Sequence, residues 1–404
     1  CSLKDELNLL QIKLSNYFLE KTDIFCLIME EKYDEADLLN SILVETEVNK
    51  DNYFQDILYI LLNPEQKDNQ NLLLPLNYFE DLIFLYSAML RIAELPLNEK
   101  FLEIDPNNLS IPIILSNETS MDLRLRAANK AFLNKLISID SLAALYQSVD
   151  FTSDQLNDPS KTIKYLNNNE LIMAFYYQLA NIQIFPSSRI KVIIDFWEFA
   201  KNNGLEEIAY NLSSNIITTI KPSTDYNNIG LEIALALINN NDFETALKWI
   251  NFVEKNQNKK DELEKIQLLY ELYQSDNLES IFNFINFNFK NSDKIKTSNI
   301  KEVLYVASSV IDENQNIGSE LIFDKIMDER PMPTIFLTSE IEKAIENKDD
   351  SNLFLLILLS INQKDWNEIH PEHLKLILQG VKEYKDSKLL KSVILDIFKN
   401  VKVF

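Results

Sequence analysis

Catalytic sites are built from nucleophiles, acid–base groups and metal ligands, and this chain is short of the most versatile of these. It has two histidines in 404 residues, three positions apart in His370-Pro371-Glu372-His373, with Glu368 just before them. Residues i and i+3 share a helix face, so two imidazoles and a carboxylate there could hold a metal ion. A tetrahedral zinc site needs four donors, and no further histidine and no nearby cysteine can complete this one. The alternative reading is a helix start with Pro371 in the first position, where its missing N–H costs nothing. A Ser-His-Asp or Cys-His triad would have to use these same histidines, and no Gly-x-Ser-x-Gly is present. No metal and no cofactor is implied.

The remaining candidates are weaker. Gly204, Gly230, Gly318 and Gly380 are never closer than 26 residues, which excludes a Walker loop and a dinucleotide fingerprint. Paired carboxylates such as Glu30-Glu31, Glu206-Glu207 and Asp349-Asp350 could supply acid and base to a helical enzyme. With 62 acidic residues, however, such adjacency is ordinary. Arg124, Arg126 and Lys130 lie on one helix, with Arg126 and Lys130 at i, i+4. They could clamp a partner's carboxylate; a solvated or ion-paired face is the alternative. Lys259-Lys260 is a second basic spot. Phe282, Phe284, Phe287 and Phe289 put four rings into eight residues, which cannot all face one side. Phe284 and Phe287 are therefore candidates for an exposed, partner-binding ring, with core packing the alternative.

The elements that must carry these residues are helices. Six segments share one pattern, a polar turn followed by apolar residues at helical spacing. They begin at Gly204, Asp242, Asn277, Asn316, Asp350 and Asp386, at intervals of 38, 35, 39, 34 and 36 residues. Two helices and two turns require about that length. In the clearest unit, helix A carries Leu231, Ala234, Leu235 and Ile238. The turn Asn239-Asn240-Asn241-Asp242 is rich in capping residues. Helix B opens on Phe243 and carries Ala246, Leu247, Ile250 and Val253, with Ala234 and Ala246 at the expected crossing. This arrangement of polar turn, aromatic residue, two positions, then Ala-Leu resembles the tetratricopeptide family over about residues 168–402, without that family's Trp-Leu-Gly-Tyr signature. The resemblance implies stacked helix pairs that bind a peptide or protein partner.

The first half reads as helical but less regular. Asp34–Glu47, Tyr53–Leu62 and Tyr78–Glu94 are amphipathic, the last two ended by Pro64 and Pro96. Residues 96–118 hold three prolines and read as a surface crossing with one short helical turn. Helices follow at Thr119–Ile137 and Ser138–Gln147, then a break at Pro159 and a helix over Thr162–Leu166. No period-2 strand pattern exceeds five residues.

Composition agrees. An average chain of this length has about 28 glycines; this one has 4, few for hairpins and phosphate loops. A net charge of -23 disfavours nucleic acid and anionic membrane surfaces and would suit a basic partner. No run approaches the roughly 20 apolar residues of a membrane span; the best, Leu353 to Ile361, is nine long. Cys26 lies in an apolar run and is expected as a buried thiol, with no disulfide framework indicated. Cys1-Ser2 matches a processed, acylated lipoprotein start, although Leu3–Leu19 already reads as an amphipathic helix.

The sequence therefore predicts an all-α protein: an α-solenoid of stacked antiparallel helix pairs with a period of about 36 residues and a less regular helical N-terminal part. The expected regions are 1–95, 96–167 and a tetratricopeptide-like array over 168–404. The expected role is a non-enzymatic scaffold for a peptide or protein partner. A cell-envelope subunit tethered through Cys1, or a helical enzyme using paired carboxylates, are the alternatives. Partner identity, compartment and oligomeric state are left open.

Overall fold

The computed structural model describes residues 17–403 apart from 66–71, 73, 76–77, 257–259, 276, 291–297, 312–327, 363 and 385. The readings at Cys1, Leu3–Leu19, Asn316, Gly318 and Lys259 thus lie wholly or mostly outside the described residues. Among those described there are twenty-two α-helices and no strand. The first thirteen are α1 Phe18–Met29, α2 Tyr33–Thr46, α3 Asn52–Leu62, α4 Ile83–Ile92, α5 Glu99–Ile104, α6 Pro106–Leu115, α7 Met121–Leu133, α8 Ile139–Gln147, α9 Ser153–Asn157, α10 Pro159–Tyr165, α11 Asn169–Ile182, α12 Pro186–Asn202 and α13 Glu206–Ile217. After a 3₁₀ turn come α14 Gly230–Asn239, α15 Phe243–Asn256, α16 Lys260–Gln274, α17 Glu279–Lys290, α18 Ser298–Ile311, α19 Ile335–Asn347, α20 Asp350–Ile361, α21 Pro371–Glu383 and α22 Ser387–Asn400.

Many helices start on a side-chain cap. Asp51, Asp105, Asp158, Asn168, Thr334, Asp349 and Asp386 each accept a backbone N–H of the first turn that would otherwise lack a partner. Many helices end on a left-handed residue. Among the described residues one of these is glycine, Gly204 at φ 69; the others include Glu31, Glu94, Lys135, Asn241, Lys348, Asn362 and Lys402. At several of these ends the next N–H reaches back five residues, as from Leu95 to Leu90, Leu205 to Ala200, Asp242 to Leu237 and Asp349 to Ala344. This is the Schellman bond, which satisfies a terminal carbonyl and turns the chain sharply.

The chain divides into two compact units, Cys1–Ile220 and Lys221–Phe404. The division falls inside the stretch read from the sequence as one array from 168. The reason is packing: α11 lies on α7 and α8, and α13 on α8, which ties residues 169–217 to the helices before them. A continuous apolar core in the first unit runs from Ile24 to Ala127. Residues 96–118 belong to it and do not merely cross the surface. Asn98 and Asp105 cap α5 and α6, Pro106 begins α6, and Phe101, Leu102, Leu109 and Ile113 are buried. Pro159 likewise begins α10 behind Asp158. Cys26 is buried, but in a disulfide, so the expected thiol is corrected.

In the second unit, helices begin at Phe243, Glu279, Asp350 and Ser387, just after the polar turns read from the sequence. The pair α14–α15 is closely packed. A Cβ on Gly230 would stand 2.6 Å from Val253 Cγ2, so only glycine allows this approach. Ala234 and Ala246 are fully buried; Trp249, not Leu247, faces the core. Later pairs do not pack only on their predecessors. The α21–α22 pair lies against α18 and reaches α17, where Phe398 meets Phe284 with ring centroids 6.2 Å apart. The buried Lys391 donates from Nζ to the Ser275 carbonyl and, at 3.4 Å, to Ser280 Oγ. Lys382 donates to the Val310 carbonyl at 2.8 Å.

Two substitutions test this packing. Ala246→Asp sets a charge in a fully buried position with no cation provided, so urea unfolding should register a loss of about 3 kcal/mol or more. A loss below about 1 kcal/mol would refute the α14–α15 contact. Lys348 sits at φ 54, where a side chain strains the backbone. Lys348→Gly should raise stability by about 1 kcal/mol, read from the same titration.

Candidate interaction surface

The residues with the greatest chemical potential are already engaged. His370 accepts the Glu372 N–H at Nδ1 and so caps α21. His373 points the other way and is buried, its Nε2 2.9 Å from Ser360 Oγ, which itself donates to the Ile357 carbonyl at 2.7 Å. The serine hydroxyl proton is therefore committed to backbone, and the pair lacks access to a substrate. Among the described residues no three metal-binding side chains gather at one point.

The acids buried as whole residues, Glu47, Asp51 and Glu302, are paired. Lys21, fully buried, places Nζ 2.7 Å from Glu47 Oε1 and 2.9 Å from Asp51 Oδ2, and the rings of Phe79 and Phe54 lie 4.9 and 5.5 Å from it. Tyr86 donates to the same Asp51 oxygen at 2.6 Å, and Asp51 Oδ1 accepts the Phe54 N–H. Burial, and then the Asp51 carboxylate, hold the Tyr86 phenol far above its ordinary range. Glu302 and Asp328 share Arg330, which holds the Asp328 carboxyl well below the usual range. Asp195 is raised by desolvation, against the charge of Lys191 and with that of Glu198, and it is exposed. An open cleft of about 400 Å³ beside the α16–α17 turn is lined by Glu271, Glu279, Ser275, Ser280 and the amides of Gln274, Asn277 and Asn283.

The expected binding residues fare differently from one another. Arg126 on α7 pairs with Glu99 and, at 3.4 Å, with Glu170; Arg124 donates from Nε to the Ile114 carbonyl at 2.9 Å. These bonds tie α7 to α5, α6 and α11, so the guanidinium charge is largely answered within the fold. Lys130 is half-buried. Phe284 is fully buried against Phe398 and is corrected from a candidate exposed ring to a core residue. The cause is that α17 is covered by α16, α18 and α22. Phe282, Phe287 and Phe289 are half-buried, and none of the four rings is exposed.

The surface that stands out is on α19 and α20. The α20 sequence, DSNLFLLILLSI, is apolar on nearly every side beyond its first turn, so packing one stripe inward leaves others outward. Leu353, Ile357 and Ser360 form the buried stripe, and Gly380 of α21 brings its backbone within reach of Leu353 and Ile357. Leu355, Leu358 and Leu359 remain 56, 56 and 58 % exposed, with Phe354 at 48 %. The α19 helix pairs with α20 across the Lys348–Asp349 turn, so its first residues reach the end of the hairpin that carries Leu358 and Leu359. Those first residues, Ile335 and Phe336, are 90 and 72 % exposed. The sequence signal was the nine-residue run from Leu353 to Ile361. Read only as too short for a membrane span, it also has no polar side to give to solvent. No helix among the described residues is long and apolar enough to cross a membrane.

No protein-family model matches this chain, and no curated protein and no solved structure matches it either.

The buried histidine gives a pH test. Burial, with the charges of Lys364 and His370 adding to it, pushes His373 from 6.5 down to about 4. An unfolded chain takes up that proton near pH 6.5 while the folded one resists it, so acid favours unfolding across the window. The contribution is complete above pH 6.5 and falls by at most roughly 3 kcal/mol on the way to pH 4. His373→Gln should flatten that section of the pH–stability curve in urea unfolding. An unchanged slope would mean that His373 protonates without resistance.

Proposed function

We propose that this chain is a non-enzymatic interaction protein that binds a protein partner through the apolar face of α19 and α20. The observation that carries this reading is the exposure of four large side chains on one short helix whose one charged residue is Asp350 at its start. A soluble surface rarely leaves such a patch contiguous unless something covers it. The face also has the composition of an interface centre, aromatic and aliphatic without charge. The engagement of both histidines and the pairing of Glu47, Asp51, Glu302 and Asp328 support a binding role over carboxylate catalysis.

The alternating helix pairs support a tetratricopeptide-like scaffold as the frame for this surface. It would be an array that departs from simple one-dimensional stacking, since α21–α22 packs on α18 and α17. Photo-crosslinking from position 355 in the native cell tests the proposal. We expect a discrete adduct with a protein, lost in Leu358→Glu while thermal unfolding stays within about 0.5 kcal/mol of the parent. Absence of any protein adduct from position 355 would overturn it.

A further inference from the structure

We infer that the partner on this face is a second copy of the same chain, docked about a two-fold axis with the two α20 helices antiparallel. This rests on the reading of α19–α20 as an interaction surface and names its occupant. Three observations converge on it.

The first is charge. At -23, two copies repel one another over most relative placements. From Asn352 to Gln363 the chain has no charged residue, so here two copies can meet without opposing carboxylates. A basic partner, which the net charge would attract, gains nothing electrostatic from this uncharged stretch.

The second is symmetry. A two-fold contact joins a patch to its own image, so an uncharged apolar face is matched automatically by an uncharged apolar face. Antiparallel pairing also sets the positive end of each α20, where Asp349 and Asp350 sit, toward the negative end of the other.

The third is area. Phe354, Leu355, Leu358 and Leu359 leave roughly 400 Å² of apolar surface open, within the range of about 300–600 Å² of the largest patch on a monomer, which is often functional. With Ile335 and Phe336 included, two copies would together bury on the order of 1,000 Å², the threshold for a specific though weak association. The geometry thus points to a weak, reversible dimer.

Sedimentation equilibrium of the full chain between about 1 and 100 µM reads this directly. The average mass should climb from 47.1 kDa toward twice that value. Leu355→Glu and Leu358→Glu lie on exposed positions and should each raise the dissociation constant on the order of a hundredfold. Leu38→Glu, equally exposed but on α2 in the other unit, should leave it unchanged. Circular dichroism confirms that each variant is helical, and Leu359→Ser replaces any that is not.

A mass fixed at the monomer, or a dimer indifferent to Leu355→Glu, overturns the inference. So does flotation of the chain with neutral phosphatidylcholine vesicles that Leu355→Glu abolishes, since lipid would then be the occupant. If position 355 crosslinks to a protein other than itself, self-pairing fails and the interaction surface stands. If it crosslinks to no protein, both fail.

Discussion

A fold made only of helices depends on stopping each one and reversing the chain, and here that is done almost without glycine. The left-handed residue after the helix is glutamate, lysine or asparagine at Glu31, Glu94, Lys135, Asn241, Lys348, Asn362 and Lys402, against a single glycine at Gly204. Each side chain there opposes the backbone by about 1 kcal/mol. The reach-back bond into the last turn, and an apolar residue beyond it such as Leu95 or Val403 returning to the core, offset that strain. The helix pairs of both units are possible because these turns hold. At Gly230 the missing side chain lets α14 lie against Trp249 and Val253.

Among the described residues each unit also buries one lysine, and each lysine joins segments that are far apart in sequence. Lys21 is neutralised twice over by Glu47 and Asp51, and Tyr86 takes up part of the excess negative charge. Lys391 has oxygen acceptors at Ser275 and Ser280. A buried ammonium is costly unless its protons are all accepted, so such sites fix register more than they add stability. They belong to the frame rather than to a site, as does the His373–Ser360 pair.

The all-α class was legible in the sequence because the scarcity of glycine and the recurring polar turns both point to it. The helix starts near Phe243, Glu279, Asp350 and Ser387 were legible for the same reason. What the sequence hid were decisions made by neighbouring helices. The stripe expected on α14 became burial on nearly all sides, since α15 and α16 both cover it, and on α15 Leu247, expected on the buried stripe, faces outward. Pro159 read as a break and the stretch holding Pro106 as a surface crossing, although the aspartate before each proline marks a helix start. The density of rings around Phe284 was visible, but its burial depends on Phe398, more than a hundred residues away. The α19–α20 surface was visible as an apolar run, and only its exposure gave it meaning.

The bond from Lys391 to Ser275 spans 116 residues, and that interval has a cost in time. A chain leaving the ribosome would present α16 and α17 on the order of ten seconds before α22 is made. Through that interval the Phe284 ring has no Phe398 to cover it. In an array closed only by nearest neighbours, each new helix pair would shield the one before it. Here the second unit waits open during its own synthesis, so the nascent chain, more than the finished protein, is the form that most needs a chaperone.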